Sequence, residues 1–283
     1  MPPADSLRHG GTAGARPLTF ERAAILGSLL VLAAGAWALL AWQSTSAEMD
    51  SGLAMGMEAP LFIALWIAMM VAIMYPTAAP MILMFARIHG ERRARGQSFV
   101  PTWVFAGAYL LVWSLTGIAA FAIAVGGDSL ADRWGFFADN GARIGGVLLV
   151  AAGLYQVTPL KNVCLSKCRS PMAFVLNSWR DGTAGAFRMG IDHGVYCLGC
   201  CWLLFLILFP LGMMNIAVLA LVTVAIFIEK SLPIGRQAAL AFGAALVVYG
   251  LVVIAAPGAL PGMADDMETA STGAMQGMDG AAR

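Results

Sequence analysis

The strongest constraint on this chain is a series of apolar segments, each about as long as a membrane-spanning helix. A helix needs roughly 20 apolar residues to cross the hydrocarbon core of a bilayer. The chain is therefore predicted to be all-α, a polytopic membrane helix bundle of about seven transmembrane helices. The predicted helices are approximately residues 22–42, 61–86, 101–125, 143–160, 192–209, 213–230 and 237–256.

Composition supports the same fold class and excludes several functions. Hydrophobic residues make up 60% of the chain and charged residues only 12%, about half the charged fraction of a soluble domain. No basic patch with interleaved aromatic residues is present in the sequence, so nucleic acid is not an expected partner. The lipid bilayer is the expected partner of a chain with this composition.

Positive charge is concentrated in alternate connections between the apolar segments. Basic residues are enriched on the cytoplasmic side of membrane proteins, so the N-terminus is predicted to be cytoplasmic and the C-terminus outside. We expect a disordered N-terminus at 1–20, a membrane domain at 21–257 and a disordered, methionine-rich outer tail at 258–283. The basic residues of the four segments assigned to the cytoplasmic side are Arg8, Arg16, Arg22, Arg87, Arg92, Arg93, Arg95, Lys161, Lys167, Arg169, Arg180, Arg188, Lys230 and Arg236.

Cysteines and a histidine cluster at the predicted inner face. At about 100° per residue, His193 and the three cysteines that follow it project into roughly a quarter of the helix circumference. Thiolate and imidazole are ligands of Cu(I) and Zn(II); the alternative is that the cysteines pack as small apolar residues. The candidate metal ligands are Cys164, Cys168, His193, Cys197, Cys200 and Cys201.

Methionines dominate the predicted outer face. Thioether sulfurs bind Cu(I) without deprotonation, so they favour copper over zinc and suit capture of copper outside the cell. The alternative is that the methionines are a chance feature of low-complexity segments. The candidate capture residues are Met49, Met55 and Met57 in one connection and Met263, Met267, Met275 and Met278 in the tail.

Methionines also line a candidate path between the two faces. Met70 and Met74 share a face of the second predicted helix, and Met213 and Met214 open the sixth. A methionine stripe also serves flexible packing, and two prolines predict a kink or break in the second helix. At the end of the sixth, Glu229 and Lys230 are interpreted as interfacial anchors, with Glu229 also a candidate support for a metal ligand.

Five motifs occur in an order that resembles a known family. They lie at 69–80, 164–171, 190–202, 212–215 and 229–230. In this order they resemble the predicted metal-binding integral membrane protein family, a bacterial group classified as a domain of unknown function. The resemblance covers about residues 60–256 and implies a metal-binding, multi-pass protein of the bacterial inner (cytoplasmic) membrane.

Three functions remain open from the sequence. The first is copper handling, by delivery, sensing or metalloprotein assembly, together with a metal donor or acceptor protein. The second is a soft-metal permease, and the third is a membrane thiol–disulfide oxidoreductase. Catalytic triads, phosphate-binding loops and paired carboxylates are missing from the sequence, so no enzyme other than a redox thiol protein is expected.

Overall fold

The computed structural model describes residues 15–46, 52–97 and 99–260, and this part of the chain is all-helical. Ten α-helices and one short 3-10 helix, Pro257–Ala259, account for its regular structure. The helices are α1 (Ala15–Ser46), α2 (Ala59–Ala94), α3 (Thr102–Arg133), α4 (Gly135–Tyr155), α5 (Pro159–Arg169), α6 (Pro171–Ser178), α7 (Gly182–Leu206), α8 (Leu208–Leu211), α9 (Ile216–Ser231) and α10 (Gly235–Ala255).

Five helical segments are long and apolar enough to cross a membrane: Phe20–Thr45, Ala59–Ala94, Thr102–Arg133, Gly182–Leu211 and Gly235–Ala255. The pair α4 and α5, bent by 63°, makes a sixth if it counts as one broken span. The all-helical fold is thus confirmed, whereas the count of seven and the orientation of the termini stay predictions. Helix α9 has 16 residues and rises about 24 Å, less than the roughly 30 Å of a hydrocarbon core.

Both ends of the chain lie largely outside the described residues. The disorder expected for 1–20 and 258–283 falls, over 1–14 and 261–283, outside the described residues. Within the described part, α1 begins at Ala15 and the 3-10 helix occupies Pro257–Ala259, and the expected disorder of both ends stays a prediction.

Helix α2 forms the centre of the bundle. It packs against α1, α3, α6 and α9, and half of its residues are buried. Although Pro76 and Pro80 remove two backbone donors, α2 continues through both without a break. A break is therefore not observed, and a kink stays a prediction. Neighbouring helices enclose this stretch, a setting in which freed backbone carbonyls are tolerated.

Glycines bring two helix pairs into backbone contact. A Cβ atom on Gly153 of α4 would lie 2.5 Å from the carbonyl oxygen of Gly243 in α10, and one on Gly250 would lie 2.6 Å from that of Gly146. Gly190 of α7 similarly packs against the carbonyl oxygen of Phe105 in α3. Small residues at such crossings let two helix backbones approach closely and pack by van der Waals contact, as they do in membrane proteins.

The segment between α4 and α7 differs most from the sequence expectation. The sequence places a polar connection between 160 and 192, but the structure forms α5 and α6 there and begins α7 at Gly182. The hydroxyl oxygen of Thr158 accepts a hydrogen bond from the backbone amide of Lys161 at 3.3 Å and so caps α5. Because the chain bends by 63° before α5, α5 packs back against α7.

Candidate metal centre

Three thiols from two helices converge inside the bundle. Cys168 of α5 and Cys197 and Cys200 of α7 have sulfurs that all lie within 4.8 Å of one another. The Cys168 and Cys200 sulfurs are 4.0 Å apart. Two sulfurs that share a metal at bond lengths of about 2.3 Å lie roughly 3.8 to 4.6 Å apart, depending on coordination. The three sulfurs, named the thiolate cluster below, are therefore close to ligand spacing.

Local sequence explains this arrangement. Cys197 and Cys200 are three residues apart on α7 and so share a face, and the Cys200 thiol donates to the Cys197 carbonyl oxygen at 3.1 Å. A Cβ atom on Gly199 would lie 2.7 Å from the sulfur of Cys164. Glycine at that position lets α5 lie close enough for Cys168, one turn beyond Cys164, to reach the cluster.

A thioether sulfur lies beside the thiolate cluster. The Sδ atom of Met74, in the middle of α2, lies 3.9 Å from the Cys197 sulfur, and Met74 is fully buried. The Thr77 hydroxyl donates to the Met74 carbonyl oxygen at 3.0 Å, below the proline-containing turn. Of the methionines singled out as a path, Met74 is the one in contact with the thiolate cluster.

A buried lysine is the charged neighbour of these sulfurs. Lys230 Nζ lies 2.9 Å from the Cys197 sulfur and 3.9 Å from Met74 Sδ, and the Tyr109 hydroxyl lies 3.0 Å from the same cysteine. The interfacial anchor interpretation of Lys230 is thus wrong: the end of α9 packs into the bundle and leaves the residue 8% exposed. The sequence signal that could have indicated this role is an ionisable residue at the end of a long apolar segment, because such residues are often functional.

Glu229 is also buried, but it contacts a lysine and not a sulfur ligand. Its Oε2 accepts a hydrogen bond from Lys161 Nζ at 2.6 Å, and the two side chains are 2% and 1% exposed. Lys161 also donates to the Gln156 side chain. This ion pair joins α5, which carries Cys168, to α9, which carries Lys230. The supporting role of Glu229 at a metal site stays a prediction.

The remaining candidate ligands lie around the cluster. His193, one turn before Cys197, is buried against the rings of Phe105 and Tyr109, and its Nδ1 has no hydrogen-bond partner among the described residues. All five cysteines carry free thiols. Cys201 lies with its sulfur 3.2 Å from that of Cys200, and Cys164 faces Gly199.

A cavity of about 120 Å³ leads to the cluster. Its lining includes Cys168, His193, Cys197 and Lys230 as well as the half-exposed Arg169 and Ser231. The cluster is thus accessible from the ends of α5 and α9.

The methionines predicted to capture or conduct copper lie in different surroundings in the structure. Met55 is half-buried in the loop before α2, and Met70 is fully buried in α2. A second, small cavity brings together Met57, Met213 and Met214. The positions that lie outside the described residues are Met49, Met263, Met267, Met275 and Met278.

Comparison with known families identifies the class of protein. A family model described as PpoB2, copper chaperone, matches residues 63–253. The chain belongs to this copper chaperone family. The match runs from α2 to near the end of α10 and includes the thiolate cluster, Met74 and Lys230. No curated protein and no solved structure matches the chain.

The family and the site agree in their chemistry. Thiolate and thioether sulfurs are soft donors that suit Cu(I) as well as other soft metals, and the buried site offers both kinds of sulfur. Copper handling is therefore supported, and the family match assigns the chain to a copper-related family. The membrane part of that resemblance stays a prediction.

Proposed function

We propose that this chain is an integral membrane copper chaperone that holds Cu(I) at the thiolate cluster and passes it to an acceptor protein. The observation that carries the proposal is the convergence of Cys168, Cys197 and Cys200 within 4.8 Å of one another in a member of a copper chaperone family. Copper is the cargo of the protein, and the cluster is its holding site.

Each residue around the cluster has a defined role in this proposal. The three cysteines supply thiolate ligands and Met74 supplies a neutral thioether, a donor set that suits Cu(I). Three thiolates around one Cu(I) carry net negative charge, which is costly inside a bundle unless it is paired. The ammonium of Lys230, 2.9 Å from the Cys197 sulfur, offsets that charge.

Transfer proceeds by ligand exchange at the accessible cysteine. Cys168 is half-buried, whereas Cys197 and Cys200 are buried, and it lines the cavity that reaches the surface. A thiolate of the acceptor forms a bond to Cu(I) as the bond from Cys168 breaks. The ion remains Cu(I), so neither oxidant nor reductant takes part.

The proposed location is the bacterial inner membrane, with several spans and the cavity mouth on the cytoplasmic side. Large apolar side chains are exposed on the membrane-length helices, among them Val31, Leu115 and Val248. Burial of such side chains in lipid removes them from water. Arg169, at the cavity mouth, belongs to the basic connections that favour the cytoplasm. A cytoplasmic copper donor or acceptor protein is the corresponding partner.

Copper binding by purified variants tests this function. The full chain in detergent is loaded with Cu(I) under a competing chelator, and bound copper is measured by mass spectrometry. We expect roughly one equivalent at the cluster, retained in Cys164→Ser and lost in the Cys197→Ser/Cys200→Ser variant. Cys164→Ser is the matched control because its thiol faces Gly199 and not the cluster. Equal copper in the double variant would contradict the proposal.

Two further measurements separate the other functions that the sequence leaves open. Copper flux into liposomes that contain the purified protein would show a permease, and a chaperone gives none. Reversible formation of a disulfide between Cys168 and Cys200 during turnover with a thiol substrate would show an oxidoreductase. Extraction of membranes with alkaline carbonate tests the location, since an integral protein stays in the pellet.

A further inference from the structure

A second group of sulfur atoms lies outside the thiolate cluster. Met57, Met69, Met213 and Met214 line one small cavity together with the rings of Phe62 and Trp66. The four methionines come from three places in the chain: the loop before α2, α2 itself and the turn between α8 and α9. Met69 and Met74 are five residues apart on α2, which corresponds to a helix rise of about 7.5 Å.

The loop that carries Met57 is held in a defined conformation. The Asp128 carboxylate, near the end of α3, accepts hydrogen bonds from the backbone amides of Leu53 at 2.7 Å and Ala54 at 3.0 Å. Met55 adopts a positive φ of 53°, which non-glycine residues rarely do. Charge-assisted bonds of this kind are stronger than neutral ones, so the loop is fixed above the start of α2.

The turn that carries the other two methionines is equally defined. Gly212 has a φ of 89°, a left-handed conformation that favours glycine. The Asn215 side chain accepts a hydrogen bond from the Val218 amide at 3.1 Å and caps α9. Between these two residues, Met213 and Met214 are both buried.

The cavity has the size and chemistry for a single soft ion. Its volume is about 10 Å³, which is at most the space of one water molecule. The described side chains that line it are apolar or thioether groups. Trp66 turns its Nε1 away to donate to the Trp113 carbonyl at 3.2 Å and the Thr116 hydroxyl at 3.1 Å. A water molecule finds no hydrogen-bond partner there, whereas thioethers bind Cu(I) and aromatic faces attract cations.

We infer that Met57, Met69, Met213 and Met214 form a second copper site, which binds Cu(I) through thioether sulfurs and is separate from the thiolate cluster. The inference rests on copper as the cargo of the proposed function, but it does not require the thiolate cluster to hold that cargo. Neutral thioethers bind Cu(I) less tightly than thiolates, so this site has the lower affinity of the two.

The test uses the full chain in detergent with the thiolate cluster removed. In the Cys168→Ser/Cys197→Ser/Cys200→Ser background, Cu(I) is titrated against a weak competing chelator. X-ray absorption at the copper edge reports the ligands. We expect about one Cu(I) bound through sulfur alone, and at least about tenfold weaker binding after Met213→Leu/Met214→Leu. Leucine is close in volume to methionine and preserves packing. Met84→Leu, a partly buried position elsewhere on α2, is the matched control.

Two results would overturn the inference. The first is a background variant that binds no Cu(I), and the second is a methionine variant that binds it as tightly as its parent; either outcome leaves packing as the role of these methionines. Met57→Leu, on the half-exposed loop, repeats the test at a position where misfolding is not expected. The cysteine variants in the native methionine background test the thiolate cluster separately, so its failure is distinguishable from failure of this site.

Discussion

The buried ion pair between Lys161 and Glu229 gives the sharpest prediction for stability. Its nitrogen and oxygen are 2.6 Å apart, and the two side chains are 1% and 2% exposed. Glu229→Gln leaves the ammonium of Lys161 buried without a counter-charge. Removal of one partner from a buried pair costs about 3 to 5 kcal/mol, because the remaining charge has lost its compensation. We expect a loss of that order in the free energy of unfolding.

A double-mutant cycle isolates the pair from other effects. Lys161→Met/Glu229→Gln, compared with each single variant, removes both charges. It is expected to recover most of the loss, since no buried charge then remains without a partner. The assay is reversible unfolding in mixed detergent micelles, followed by circular dichroism or tryptophan fluorescence. Copper affinity provides a second measurement, because the pair joins α5 with Cys168 to α9 with Lys230. Additive losses in the double variant, or a cost below about 1 kcal/mol for Glu229→Gln, would refute this reasoning.

Three further changes test other parts of the structure. Lys230→Met is expected to weaken Cu(I) binding at least about tenfold in a chelator competition, because a charge at about 4 Å is worth on the order of 4 kcal/mol at an effective dielectric constant of 20. The exposed Lys167→Met is the control. Tighter binding by Lys230→Met would show that the ammonium competes with copper. Gly153→Leu is expected to lower the melting temperature, because the new side chain forces α4 away from α10. Gly141→Leu, where a Cβ meets nothing within 4 Å, is expected to leave the melting temperature unchanged. Equal changes in melting temperature for the two variants would contradict this. Asp128→Ala releases two loop amides and is expected to speed their hydrogen exchange, and unchanged protection would contradict the role given to the carboxylate.

The predicted helices agree with the observed ones where the length of an apolar segment is enough to locate the helix. The segments expected at 101–125 and 237–256 correspond to α3 (Thr102–Arg133) and α10 (Gly235–Ala255). The expectation was poorest between 160 and 192, where low hydropathy suggested a connection and the structure forms α5 and α6. Those helices depend on a cap at Thr158 and on packing against α7. Neither feature can be predicted from the length of an apolar segment.

The sequence alone determined the features that depend on one helix at a time. The spacing of His193, Cys197 and Cys200 places them on one face through the helical period, and the apolar segments indicate the fold class. It could not determine which distant residues meet, because this depends on how helices cross. Tertiary structure brought Cys168 and not Cys164 into the cluster, turned Lys230 inward, and joined Met57 to Met213 and Met214. The position of Cys168 follows from the close approach of α5 to α7 at Gly199 and from the 63° bend before α5. The meeting of the methionines follows from the Asp128 contacts to the loop and from the turn at Gly212.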